Sequence, residues 1–167
     1  MKKLAILLCC TMLLNVFTGC SAKKDDFVEP INYYYEKADI SYNSESGVIK
    51  KEIREGSSFQ GNVTAFMHGY LRGPESDGLR SIIPSDVYLV SCIIEENTAH
   101  VILSSQFSKL TGIKLTAACS AMLLTLHDFV GIDTLSIRAK DSKLDDQDKI
   151  VLSIEDVVLI DKAEINE

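Results

Sequence analysis

Apolar residues along this chain recur in two rhythms, and the switches between them divide it into elements. Residues Ile31–Glu36 (INYYYE) and Val48–Arg54 are β-rich, and the turn cluster Ser41–Gly47 between them predicts a first hairpin. Phe59, Val63, Phe66, Met67, Tyr70 and Leu71 then fall on one face at helical spacing. They predict a helix over Ser57–Arg72, capped by Ser57 or Ser58 and stopped by Gly73–Pro74. Gly61 and Gly69 weaken it by up to about 1 kcal/mol each, so packing must hold it.

Two strands follow, Asp86–Glu95 and Thr98–Leu103, reversed at Glu96–Asn97. The second helix, Thr111–Val130, carries no charge between Lys114 and Asp128. Leu115, Ala118, Met122, Leu126 and Phe129 form its core stripe, and Ala121, Leu123 and Leu124 widen that stripe. A helix apolar most of the way round is buried on several sides. Asp133–Ala139 alternates as a further strand, and DSKLDDQDK reads as a polar loop. A last apolar stretch, Ile150–Ile160, is of undetermined type. The order β-β-α-β-β-α-β predicts an α+β two-layer sandwich with both helices on one face of a mixed sheet. If the strands flanking the second helix are parallel, their crossover is right-handed.

Strict alternation in Asp86–Glu95 turns Val90, Cys92 and Ile94 toward the helices and Val87, Leu89 and Ile93 away. On the next strand Ala99, Val101 and Leu103 face inward, leaving His100 and Ile102 outside. A one-sided antiparallel sheet ordinarily has a polar outer face. Val87, Leu89, Ile93 and Ile102 are therefore the candidate protein-interaction surface. The tyrosines of Ile31–Glu36 or the Ile150–Ile160 tail, folded across it, are the competing explanation.

Before the first strand lies an address segment. Residues 1–19 begin with Lys2 and Lys3, continue as an apolar run from Leu4 to about Val16, and end in Thr18–Gly19. The run falls short of the about 20 residues that span a bilayer as a helix and has the length of a signal-peptide core. The sequence Phe17-Thr18-Gly19-Cys20 resembles the lipobox of bacterial lipoproteins, with Phe17 where Leu is commoner. That resemblance implies cleavage before Cys20 and diacylglycerol on its sulfur. Two or more acyl chains anchor a protein stably. Residues 20–30 then form a short tether, reaching at most about 35 Å, and residues 31–167 form the domain.

This reading disposes of three of the five cysteines and leaves Cys92 and Cys119. Each sits in an apolar run, which favours buried free thiols over a disulfide. The formal net charge is −7, and loss of Lys2 and Lys3 makes it more negative by two. With no basic stripe, nucleic acid is excluded as a partner.

Chemistry-bearing clusters are absent. His68, His100 and His127 are isolated, and no C-x-x-C or H-x-x-x-H pair occurs, so no metal or cofactor is expected. Asp145, Asp146 and Asp148 lack the D-x-D-x-D-G spacing of a calcium loop. Ser104–Ser105 lack a nucleophile elbow, and no glycine-rich loop continues as G-K-[ST]. Glu95–Glu96 sit at a turn with no pocket implied. No enzyme activity is expected. Tyr33–Tyr35 read as strand packing, or alternatively as an aromatic platform for a small solute or glycan.

Several of these segments carry a more specific pattern. Leu71-Arg72-Gly73-Pro74 is followed by Gly78-Leu79-Arg80-Ser81-Ile82-Ile83-Pro84, and then by Ala99, Val101, Leu103, Ser104, Ser105 and Phe107. The long helix contains Thr125, Leu126 and Phe129 in T-L-x-x-F spacing. From about Ile31 to Ile160 the chain resembles the GerMN domain of sporulation and spore-germination lipoproteins. It departs from that pattern in having Val130 where Pro is usual, and in lacking an Asp-Gly turn after the last core strand. The resemblance implies a fold similar to ring-building domains and a non-catalytic, lipid-anchored module on the extracytoplasmic face of a bacterial membrane. It implies an envelope protein partner, leaves homo-oligomerisation open, and brings no catalytic residues.

Overall fold

The computed structural model describes residues 30–40, 47–55, 59 and 61–157. The signal segment, Cys20, the tether, Ser57, Ser58 and residues 158–167 lie outside the described residues.

Strand β1 (Pro30–Lys37) pairs antiparallel with β2 (Ile49–Glu55), so that Tyr33 opposes Glu52 and Tyr34 opposes Lys51. Helix α1 follows at Val63–Leu71, and the two-residue β3 (Leu79–Arg80) joins the other edge of β1. Next come β4 (Leu89–Glu95), β5 (Thr98–Leu103), a 3-10 turn at Ser105–Lys109 and α2 (Gly112–Val130). Strand β6 (Thr134–Ala139) runs parallel to β5, and β7 (Ile150–Ser153) lies antiparallel to β6.

The α+β class is that read from the sequence, and the order gains two strands, the two-residue β3 and the tail strand β7. The strands, however, form two sheets rather than one mixed sheet: β2-β1-β3 and β4-β5-β6-β7. Helix α2 explains the division. Leu115, Ala118, Cys119, Met122, Leu123 and Leu126 pack into the main core with Val101, Leu135 and Ile137 of the larger sheet. Ala121 and Leu124 pack instead against Tyr34, Val48 and Ile49 of the smaller sheet. Between Leu115 and Leu126 only Thr116 is exposed. By length and composition α2 could cross a membrane, but most of it is enclosed by the two sheets. It also completes the edge of β1 beyond the short β3, where the Tyr34 N–H donates to Thr125 Oγ1 at 3.0 Å. This satisfies a buried backbone donor that has no strand to bond to.

Helix α1 is shorter than its apolar spacing suggested. Gly61 takes φ +78°, which ends helical geometry on the N-terminal side, and the Asn62 side chain caps the helix by accepting from Ala65 N–H at 3.0 Å. Gly73, at φ +88°, ends it on the other side, as expected.

Strand β4 brings the main correction. Its pairing slips between Leu89, opposite Leu103, and Ser91, opposite Ile102, so Val90 is an extra residue in a β-bulge. A bulge reverses side-chain parity from that point back. Leu89 therefore faces the core, as does Val87 in the segment preceding the strand, whereas Val90 turns outward and is 41% exposed. Ile93 and Ile102 lie on the reverse face. The last described residues after β7 turn back toward the helices, where Ile154 and Val157 join both apolar clusters. Neither they nor the β1 tyrosines cross the reverse face. Cys92 and Cys119 are free and buried, and burial pushes their pKa values up to about 11 and about 12.

Candidate interaction surface

The outward side chains of the larger sheet are fixed by strand register. Ile93, His100, Ser136 and Val151 stand side by side across β4, β5, β6 and β7. Ser91, Ile102 and Arg138 form the row above, with Val90 at the bulge beside it. Both described helices pack on the opposite face, so Ile93 is 53% exposed and Val151 56% exposed. Ile93 and Val151 stand on the two edge strands with His100 and Ser136 between them, while Val90 and Ile102 line one end of the face together. Of the four surface residues expected from the sequence, the structure brings Ile93 and Ile102 together and moves Val87 and Leu89 into the core. It adds Val90 and Val151. Val90 could have been found only by anticipating the bulge, and Val151 only by pairing the tail as a strand.

At the C-terminal end of β6 this face deepens into a cleft of about 690 Å³, with Val90 and Ile102 on its apolar side. Arg138, Lys140 and Lys143 line it together with Asp141 and Asp148. The loop forming its wall is held by two tight bridges, Ala139 to Ser142 and Leu144 to Gln147, and by the complete burial of Leu144. Asp145 Oδ2 accepts from Gly112 N–H at 3.0 Å, placing a carboxylate at the start of α2. Asp145 of the acidic run thus has a structural role, and among the described residues no group of three or more His, Cys, Asp or Glu side chains could hold a metal.

The tyrosines are interior. Tyr33 and Tyr35 pack against Phe66 and Tyr70, and their hydroxyls donate to the Phe66 and Tyr70 carbonyls at 3.1 and 2.9 Å. Burial pushes Tyr33 up to about 12 and Tyr35 higher. Tyr34 points the other way and donates to Asp128 Oδ2 at 2.8 Å. No ring of the three is offered to solvent as a ligand platform.

The Gly- and Pro-rich crossing after α1 is fastened by buried acids of the smaller sheet. The Glu52 carboxylate accepts from the N–H groups of Glu75 (3.0 Å) and Ser76 (2.8 Å) and pairs with Arg54. Arg54 donates to the Gly73 carbonyl at 2.8 Å and lies 4.8 Å from the Tyr33 ring centroid. Arg80 Nε donates to the buried Glu36 at 2.5 Å. The crossing motif is therefore fastened to the smaller sheet by these contacts.

The Germane family, described as sporulation and spore germination, matches residues 32–145. The chain belongs to this family. The match takes in every element from β1 to β6 and the loop bearing Leu144. Among solved structures this Germane chain is similar to the first GerMN domain of the sporulation protein GerM from Bacillus subtilis. That likeness has a TM-score of 0.56 and 16% identity, covering 81% of this chain and 98% of that one. It is also similar to the tandem GerMN domains of the same protein, with a TM-score of 0.53 and 20% identity, covering 74% of this chain and 43% of that one. A candidate lipoprotein from Clostridium perfringens matches at a TM-score of 0.48 and 16% identity, covering 80% of this chain and 93% of that one. No curated protein matches the chain significantly. The two GerM likenesses speak to the fold, a GerMN-like architecture.

Proposed function

We propose that this Germane protein is a non-enzymatic interaction module of the bacterial envelope, acting in sporulation or germination. Lipid on Cys20 holds it to the extracytoplasmic face of the membrane. The observation that carries the reading is the outer face of the larger sheet, where Val90, Ile93, Ile102 and Val151 stand uncovered by either described helix. The lipobox-like Phe17–Cys20 and the family's description supply the setting. A face built from paired strands is rigid and broad, which suits a protein partner.

The test is complementation of a deletion strain of the source bacterium, scored as heat-resistant spores and as germination rate. Wild-type protein should restore both, whereas Ile93→Glu, accumulating to normal levels, should not. Cys20→Ser should remain unprocessed and unlabelled by a palmitate analogue. Full complementation by Ile93→Glu would remove the sheet face from the reading. Spore yield and germination unaffected by the deletion would remove the sporulation setting.

A further inference from the structure

We propose that the free edge of β4 pairs with the same edge of a second copy of this chain, antiparallel about a twofold axis through Ile93. This goes beyond the reading above, because it uses the backbone at the rim of the larger sheet rather than the outward face.

The two sheets end in four strands, β2, β3, β4 and β7. Strands β3 and β7 are two and four residues long and offer little to a partner strand. Strand β2 is guarded by Lys50, Lys51, Glu52, Arg54 and Glu55. Strand β4 has seven residues, no proline, and no charge before Glu95 at its end. Apart from the bulge at Val90, it lacks the devices that keep edges from pairing.

Register decides which backbone groups this edge presents. Lys140 N–H donates to the Leu103 carbonyl, so Leu103 turns its backbone toward β6. Ser104 N–H donates to the Tyr88 carbonyl, so the alternate residues of β5 turn toward β4. Their partners Ser91, Ile93 and Glu95 therefore bond to β5, and the N–H and C=O groups of Cys92 and Ile94 point away from it. Among the described residues none of these outward groups has a hydrogen-bond partner.

A second β4 satisfies all of them in one register. With Ile93 on the axis, Cys92 lies opposite Ile94 of the second copy and Ile94 opposite its Cys92, each pair exchanging both backbone bonds. Ile93 meets its own counterpart as a non-hydrogen-bonded pair, where side chains approach closest, and this covers a residue 53% exposed. Glu95 falls opposite Ser91, so no like charges face each other. An axis through Cys92 would instead set Ile94 against the bulged Val90. An axis through Ile94 would set Cys92 against Glu96, which sits in the turn at φ +53°. The contact is small, as in transient complexes, and calls for covalent capture.

The test oxidises isolated membranes carrying the full chain with copper phenanthroline and reads dimer on a non-reducing gel. Non-hydrogen-bonded pairs lie close enough for a disulfide. Ile93→Cys should give at least tenfold more disulfide dimer than wild type, whose Cys92 and Cys119 are buried. Ser91→Cys and Glu95→Cys should each stay near the wild-type level alone and crosslink when the two variants are coexpressed. Dimer from Ile93→Cys no greater than from wild type overturns the proposal. So does equal crosslinking by Ser91→Cys alone, which would reflect random collision. Capture of Ile93→Cys by other proteins only would make a different chain the occupant of the edge and overturn it too. If Ile93→Cys does not crosslink while Ile93→Glu fails in spore complementation, the edge pairing falls and the sheet-face function stands. If Ile93→Cys crosslinks and Ile93→Glu complements, the edge pairing stands and the sheet-face function falls.

Discussion

Leu89 and Ile93 lie four residues apart on one strand and face opposite sides of the sheet. Leu89 is 8% exposed among core residues, and Ile93 is 53% exposed on the outer face. Even spacing should have placed them together, and the extra residue Val90 separates them. Leu89→Glu should therefore bury an unpaired carboxyl, cost at least about 3 kcal/mol and lower the melting temperature by roughly 10 °C. Ile93→Glu should stay within about 0.5 kcal/mol of wild type by urea denaturation. Equal stability of the two variants would place both residues on one face and contradict the bulge.

The same residues show what the sequence could and could not reveal. Periodicity located five strands and both helices because each must bury one face. The all-round apolarity of α2 already signalled burial on several sides, and the structure turns that signal into two sheets. Parity failed at Val90 because nothing in Val87–Ser91 distinguishes a bulged residue from a paired one. The cleft was hidden for another reason. Val90, Ile102 and Arg138 come from three strands, and only their register brings them beside the 140–148 loop. The lipobox-like segment is wholly local in sequence and lies outside the described residues.

Glu52 should make the crossing loop acid-sensitive. Burial pushes its pKa up, but the hydrogen bonds from Ser76 and the Arg54 guanidinium outweigh this and hold it below the ordinary value of 4.5. A group depressed in the folded state stabilises fully above its unfolded pKa and loses that contribution as pH falls through the folded one. The stability gap between wild type and Glu52→Gln should therefore be widest above about pH 4.5 and close at lower pH. A gap that is constant from pH 7 to pH 3 would show that the carboxylate's charge is not what fastens Glu75 and Ser76.

Cys92 and Cys119 should behave as buried hydrophobes. With their pKa values pushed up to about 11 and about 12, almost no thiolate exists at neutral pH, and neither sulfur is accessible. Iodoacetamide at pH 8 should leave both unmodified in the folded protein and alkylate both in urea. Reducing agent should leave the melting temperature unchanged, since the two thiols are unpaired. A drop in melting temperature on reduction would reveal a disulfide and overturn this assignment.

Gly69 is where helix propensity and packing disagree most sharply. In an exposed helix, Gly→Ala stabilises by about 1 kcal/mol. Here a Cβ would meet the Tyr33 hydroxyl at 2.5 Å and Phe59 Cζ at 3.1 Å. The hydroxyl cannot easily withdraw, because Tyr33 is buried and donates to the Phe66 carbonyl at 3.1 Å. Gly69→Ala should therefore lower stability despite its propensity. Tyr33→Phe removes the obstructing oxygen and should itself cost about 1 kcal/mol for the lost hydrogen bond. Placed together, the two changes should be less damaging than their sum, because the second removes the clash created by the first. A double-mutant cycle measured by urea denaturation decides the matter. Strict additivity would mean that α1 shifts to accommodate the methyl group, and that the close approach of Gly69 to β1 is not what fixes the helix in place.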